Sequence, residues 1–266
     1  MTLILTELSH FGIAMAADSA VTIRTSRPNG TIVYKVLTGV RKLQVIDSLN
    51  AGISVWGMGQ IDNMDTDLWL QDFINDQRHN YGTLHEFAIL LQNELRRLVQ
   101  PIVTEANPLG SVGFHLAGFV DYTNEPTPTF YHIHNGESQV LRARGIEVNP
   151  AIVNANHDLP PEIVSQLLSS GRAAIMRNGD IQIFAPFIQH LGEFFGRLSE
   201  RGLTIPHSRN LMERAEWLKF EIRTMSEIYR FSNLHLPTIG GKIDTLLLTP
   251  EGVDRCNLIN LTVPLP

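Results

Sequence analysis

The sequence predicts an α+β fold of antiparallel sheets covered by segregated helices, for which two sheets stacked between helix layers is one answer. Three observations lead there. Residues 1–60 are rich in β-forming side chains with period-two alternation, broken by turn residues, and read as strands. Two amphipathic helical segments then follow together, instead of one helix after each strand. The later order is strands, helices and a last strand, which is not the regular alternation of a parallel sheet.

Taken in order, 3–9 and 12–17 are strands around the turn His10-Phe11-Gly12. Strands at 21–25 and 31–37 flank Arg27-Pro28-Asn29-Gly30, whose Asn-Gly pair is a hairpin signal. Another pair, 42–46 and 52–56, surrounds Asp47-Ser48-Leu49-Asn50. Residues 65–77 form an amphipathic helix. A second helix spans 83–99, where Thr83 and Glu86 make a capping box and Leu84, Phe87, Leu91, Leu95 and Leu98 make one apolar stripe. Strands return at 112–120 and 129–134, joined by a Pro/Thr/Asn-rich turn. Residues 145–160 are irregular, 161–169 a short helix, and Asn178-Gly179 a turn. Helices at 187–201 and 211–231 precede a last strand at 242–249.

Composition narrows the function. The 266 residues carry a formal charge of -6 and no Lys/Arg-rich run, so no electrostatic footprint for nucleic acid or an anionic membrane is visible. No apolar run reaches the ~18 residues of a membrane span. The apolar stretch 11–17 lacks a preceding basic residue, which argues against a signal peptide and for a cytoplasmic protein. The single cysteine, Cys256, excludes an intrachain disulfide and sits in an apolar stretch that suits packing.

The chemistry begins at Thr2. A small side chain after Met1 permits removal of that methionine. Thr2 would then hold a hydroxyl and a free α-amine in one residue. An α-amine of pKa roughly 7.7–8.0 is partly neutral near pH 7 and can take the hydroxyl proton. Downstream lie Ala16-Ala17-Asp18 followed by Ser19-Ala20-Val21-Thr22, then Lys42-Leu43-Gln44-Val45-Ile46-Asp47, then Ile53-Ser54-Val55-Trp56-Gly57-Met58-Gly59. In this order and spacing the chain resembles the proteasome β-subunit family of N-terminal-nucleophile (Ntn) hydrolases, including its bacterial relatives. The resemblance is specific over residues 2–60. It is looser over 113–136 and over Gly240-Gly241-Lys242-Ile243-Asp244 and the strand after it.

That resemblance implies a four-layer αββα Ntn-hydrolase sandwich, one domain over 1–266, with 145–235 a helical elaboration. It implies a threonine peptidase that cleaves peptide amide bonds through an acyl-enzyme. Thr2 is the nucleophile, Asp18 and Lys42 its catalytic partners, and the Gly57 N–H the oxyanion donor. Thr22 and Gly57 line an extended peptide by main-chain hydrogen bonds, Gly59 is a further substrate-binding residue, and Val55 lies at the base of the specificity pocket, where an apolar residue suits an apolar or small substrate side chain. The expected partners are a peptide or protein substrate and further copies of the chain in a ring or other homo-oligomer; no cofactor is called for. An Ntn amidase or peptide ligase, or a non-catalytic scaffold, are the alternatives.

The chain also departs from the family. Ile239 stands where the family has a serine near the nucleophile's amine, and Leu236 where it has an aspartate. Ser232, Asn233, His235 and Thr238 are the nearby polar groups able to substitute. Other signals are weaker. His132 and His134 share a strand face as a possible metal pair without a visible third ligand. Gly57-Met58-Gly59 lacks the spacing of a nucleotide loop. Ser169-Ser170-Gly171 is a helix C-cap, and Trp217, Leu218 and Met225 are core or a subunit contact.

Overall fold

The computed structural model describes residues 2–26, 31–99, 112–134, 154–156, 161–179, 181–203, 208–231, 239–254 and 261–263. Within these, β1 (Leu3–Ser9) and β2 (Gly12–Asp18) form a hairpin in which every strand residue is buried. Its flanks are β12 (Ala174–Gly179) on β1 and β13 (Gly241–Thr249) on β2, with β14 (Gly252–Asp254) and β15 (Leu261–Val263) paired to β13. A second sheet runs β11 (Asn154–Asn156), β10 (Glu125–His134), β9 (Val112–Tyr122), β6 (Ala51–Gly57) and β5 (Leu43–Ile46). All the described pairings in both sheets are antiparallel. Two small ribbons complete the strands: β3 (Val21–Ser26) with β4 (Ile32–Leu37), and β7 (Gln60–Ile61) with β8 (Met64–Asp65). The fold is therefore α+β.

The period-two pattern explains the double burial of the first hairpin. Leu3, Leu5, Ala14 and Ala16 face one way, into a core with α5 (Leu211–Phe231) and Phe184 of α4 (Ile181–Glu200). Ile4, Leu8, Ile13, Met15 and Ala17 face the other way, into a core shared with Leu43, Ala117 and Phe130 of the second sheet. Val164 of α3 (Pro161–Ser169) joins that core. The far side of the second sheet is covered by α1 (Thr66–Gln77) and α2 (Leu84–Leu98), through Trp69, Phe73, Phe87 and Leu91 among others. The Thr83–Glu86 capping box is present at the start of α2.

Several expectations change. Asn178 and Gly179 are not a turn: they end β12 and pair with Ile4 and Leu3. The strand escapes notice because only its first residues are apolar. The segment 145–235 thus contributes a sheet edge as well as helices. Helix α4 starts at Ile181 and runs through Pro186, not after it. Strand β10 starts at Glu125 despite Pro126 and Pro128, because the β9–β10 turn is made tightly by Thr123 and Asn124, both at positive φ. Leu218 and Met225 are fully buried, as core positions should be. Among the described residues no helix is long and apolar enough to cross a membrane. Cys256, Leu236, Ser232, Asn233, His235, Thr238 and the turn at 27–30 lie outside the described residues.

Candidate active site

Thr2 immediately precedes β1 and is almost completely buried, 4% exposed. It lines the inner end of a cleft of about 40 Å³ with Thr22, Lys42, Val55, Gly57 and Gly59. These residues come from the ends of β1, β3, β5 and β6, so strand termini of both sheets and one ribbon converge there.

Asp18 ends β2 beneath this cleft. Its carboxylate is saturated: Oδ1 accepts from Lys42 Nζ (2.9 Å) and Leu3 N–H (2.9 Å), and Oδ2 from Ala20 N–H (3.1 Å) and Gly240 N–H (3.1 Å). Lys42 also donates to the Ala20 carbonyl. The pair is buried on both sides. Burial lowers the Lys42 proton affinity below that of an ordinary lysine, and the Asp18 charge and hydrogen bond oppose that shift. A buried charge with this many donors and acceptors is compensated, not orphaned. The main chain ties the same corner together: Val55 N–H donates to the Lys42 carbonyl (3.0 Å), and Ser19 Oγ accepts from Lys242 N–H (2.7 Å).

Gly57 ends β6 at φ +96, a left-handed conformation that favours glycine, and is exposed in the cleft wall. The backbone after it is held by Thr66, whose Oγ1 donates to the Met58 carbonyl (2.8 Å) and whose N–H donates to the Gly59 carbonyl (3.0 Å). Thr22 Oγ1 is buried and unpartnered among the described residues.

Two contributors are invisible in the sequence. Gly179 sits at φ +112, and a Cβ there would meet the Thr2 carbonyl oxygen at 1.7 Å. Strand β12 can approach Thr2 only because this residue is glycine. The Gly240 N–H reaches Asp18 across 222 positions, a contact that local spacing cannot signal.

His132 and His134 are stacked, ring centroids 4.0 Å apart, and Trp56 Nε1 donates to His132 Nε2 (3.3 Å). Burial, then the neighbouring His134, holds the His132 imidazole neutral, well below the usual histidine range. Among the described residues no group of three His, Cys, Asp or Glu side chains gathers to hold a metal.

No family model and no curated protein matches the sequence. Solved structures do match. One is Anbu (ancestral β-subunit) from Yersinia bercovieri, with TM-score 0.55 and 13% identity over 98% of this chain and 87% of that one. Another is a Gly-1 mutant of Anbu from Hyphomicrobium sp. strain MC1, with TM-score 0.51 and 14% identity over 96% of this chain and 85% of that one. The fold of the chain is similar to that of these Anbu structures. This corrects the resemblance drawn from the sequence: these structural neighbours are Anbu proteins, a proteasome-like but distinct family. The segment 145–235 builds β12 and two long helices, and Ile239, which stands where the proteasome family has a serine, is fully buried in the apolar core under α5.

Proposed function

We propose that the chain is an N-terminal threonine hydrolase that cleaves peptide amide bonds through an acyl-enzyme. The observation that carries this is the buried Lys42–Asp18 ion pair under a cleft lined by Thr2 and Gly57. Once the Met1–Thr2 bond is cut, the Thr2 α-amine takes the hydroxyl proton while Oγ bonds to the substrate carbonyl carbon. The oxyanion forms against the Gly57 N–H. The C–N bond then breaks, the amine departs with the proton, and an ester remains. Water attacks that ester, the C–O bond breaks, and Oγ regains its proton. Lys42 stabilises the developing negative charge and disfavours a second cation at the α-amine; Asp18 holds it. Thr22, Val55 and Gly59 line the substrate's path.

In this reading the three apolar cores separate the layers of an αββα sandwich, 1–266 is one domain, and 145–235 is an elaboration that also supplies β12. Copies of the chain associate. The exposed Phe194 (53%) and Phe220 (42%) on the two long helices support such a contact.

Intact mass of the purified protein is the first test, and complete retention of Met1 would sink the proposal. A threonine-directed peptide electrophile should then add one mass equivalent at Thr2, and Thr2→Ala should lose it with the fold intact. Labelling should speed up as pH rises, with a midpoint below the roughly 7.7–8.0 of a free α-amine, because Lys42 disfavours the ammonium form. A second reading, a non-catalytic scaffold, is favoured by one observation: Ile239 places an apolar side chain where a polar neighbour of the amine was expected. A protein lacking Met1 that takes no label would decide for it.

A further inference from the structure

The cleft at Thr2 continues outward into a larger groove of about 520 Å³. The two share Val21, Thr22, Val40, Met58, Gly59 and Asp67, so they are one channel with Thr2 at its closed end. Its walls divide by chemistry. Leu37, Val40, Met58 and Leu98 are apolar, whereas Asp62, Asp65 and Asp67 put three carboxylates along it. Asp62 and Asp65 are exposed on the β7–β8 ribbon, and Asp67 follows in the first turn of α1.

Lys42, the only basic residue among those lining the channel, is paired to Asp18. Arg97 lies within electrostatic range of Asp62, but its guanidinium is spent on Glu94 through two hydrogen bonds. Asp67 accepts from the Arg41 backbone N–H (3.1 Å), and Asp65 from the Gln60 side-chain amide (3.1 Å). Both contacts are made by neutral groups. The start of α1 offsets part of the field, as a helix N-terminus does. Three carboxylates still leave the groove negative. At its inner end Thr2 is nearly fully buried, and the buried Thr22 hydroxyl, which lines both parts of the channel, has no hydrogen-bond partner among the described residues.

We propose that this groove selects substrates with a lysine or arginine side chain beside the scissile bond. The inference rests on the reading of the channel as the substrate site. A long side chain with an apolar stem and a cationic head matches apolar walls with an acidic rim. It also refines the expectation drawn from Val55: the wall contacting the stem is apolar, but the charge lies further out. Asp62 and Asp65 are the specificity-determining residues, because both are exposed and neither carries a backbone contact that Asp67 and Thr66 supply to the site.

Binding and chemistry are tested apart. Three fluorescent peptides, identical except for Lys, Leu or Glu at one position, are titrated against full-length Thr2→Ala protein by anisotropy. The Lys peptide should bind about tenfold tighter than the Leu peptide, and the Glu peptide weakest. The preference should shrink in high salt. Asp62→Asn with Asp65→Asn should bring the Lys and Leu peptides within about twofold, with circular dichroism unchanged. Equal or absent binding of the Lys and Glu peptides overturns the inference, as does a preference that survives the double variant. The same three sequences carrying a threonine-directed electrophile are then reacted with unmodified protein. Discriminating binding without any adduct at Thr2 would overturn the peptidase reading and leave the groove's charge selection standing. Adducts at equal rates would do the reverse.

Discussion

The Asp18–Lys42 pair makes an asymmetric prediction, because its two halves are held differently. Among the described residues, Asp18 accepts three backbone N–H bonds besides Lys42, while Lys42 has only Asp18 and the Ala20 carbonyl. Lys42→Met leaves a carboxylate still satisfied by three donors, and should cost about 2 kcal/mol. Asp18→Asn turns an amide NH₂ toward those donors and strands a buried ammonium, at about 3–5 kcal/mol. Urea unfolding of both variants should therefore rank Asp18→Asn as the worse; the opposite order would mean that Lys42 holds the corner. A second titratable site lies away from the cleft. Glu7 is buried, and Arg214 Nη1 stands 2.9 Å from it, yet neither Glu7 oxygen makes a hydrogen bond among the described residues. Burial raises its pKa from 4.5 to about 7, with Arg214 opposing and Glu221 adding to the rise. The folded chain thus holds this proton more tightly than the unfolded one. That contribution is fully present below pH 4.5 and is lost as pH rises through about 7. Thermal unfolding should show Tm falling across this window, by at most about 3 kcal/mol in stability. Glu7→Gln should flatten part of the slope, and the rest belongs to Glu221, whose pKa burial also raises.

At the scale of elements, β12 is the strand whose placement matters most for Thr2. Gly179→Ala would drive a Cβ into the Thr2 carbonyl at φ +112, so either β12 or Thr2 must shift. Gly171 has φ +70 with nothing within 4 Å of a built Cβ. Gly171→Ala should therefore cost only conformational strain, about 1 kcal/mol, whereas Gly179→Ala should cost about 3 kcal/mol or more and slow labelling of Thr2. Equal effects in chemical unfolding would mean that the approach of β12 to Thr2 is not tight. This strand also shows what the sequence conceals. The strands with sustained apolar alternation, β1, β2, β5, β6 and β13, were legible to within about a residue or two. So were α1, with its amphipathic pattern, and α2, with its capping box. Strand β12 was not, because Arg177-Asn178-Gly179 looks like a turn until β1 is beside it. The channel divides the same way. Thr2, Thr22, Lys42, Val55, Gly57 and Gly59 could be picked out because each sits in an ordered local motif, and all six line the same cleft. The Gly240 N–H, Gly179, Thr66 and the acidic rim could not, because each acts only through tertiary approach.

For the whole molecule, the decisive contacts join distant parts of the chain. Strand β13 pairs with β2, Gly240 donates to Asp18 across 222 positions, and β12 closes the other edge against β1. Helix α5 then packs its buried face, Leu218, Ile222 and Met225, on that same sheet. If 145–235 belongs to one domain with the rest, as proposed, no layer can leave without exposing the others, and unfolding should be a single cooperative event. The three tryptophans sample this well: Trp69 lies in the core under α1 and α2, Trp56 packs against the core between the sheets, and Trp217 lies on α5. Single-tryptophan variants followed by fluorescence in urea should give coincident midpoints, matching far-ultraviolet circular dichroism. Lys42→Met should move all three together, because the corner it weakens joins both sheets. An early transition reported by Trp217 alone would instead make the helical segment a separately folding unit resting on a smaller sandwich.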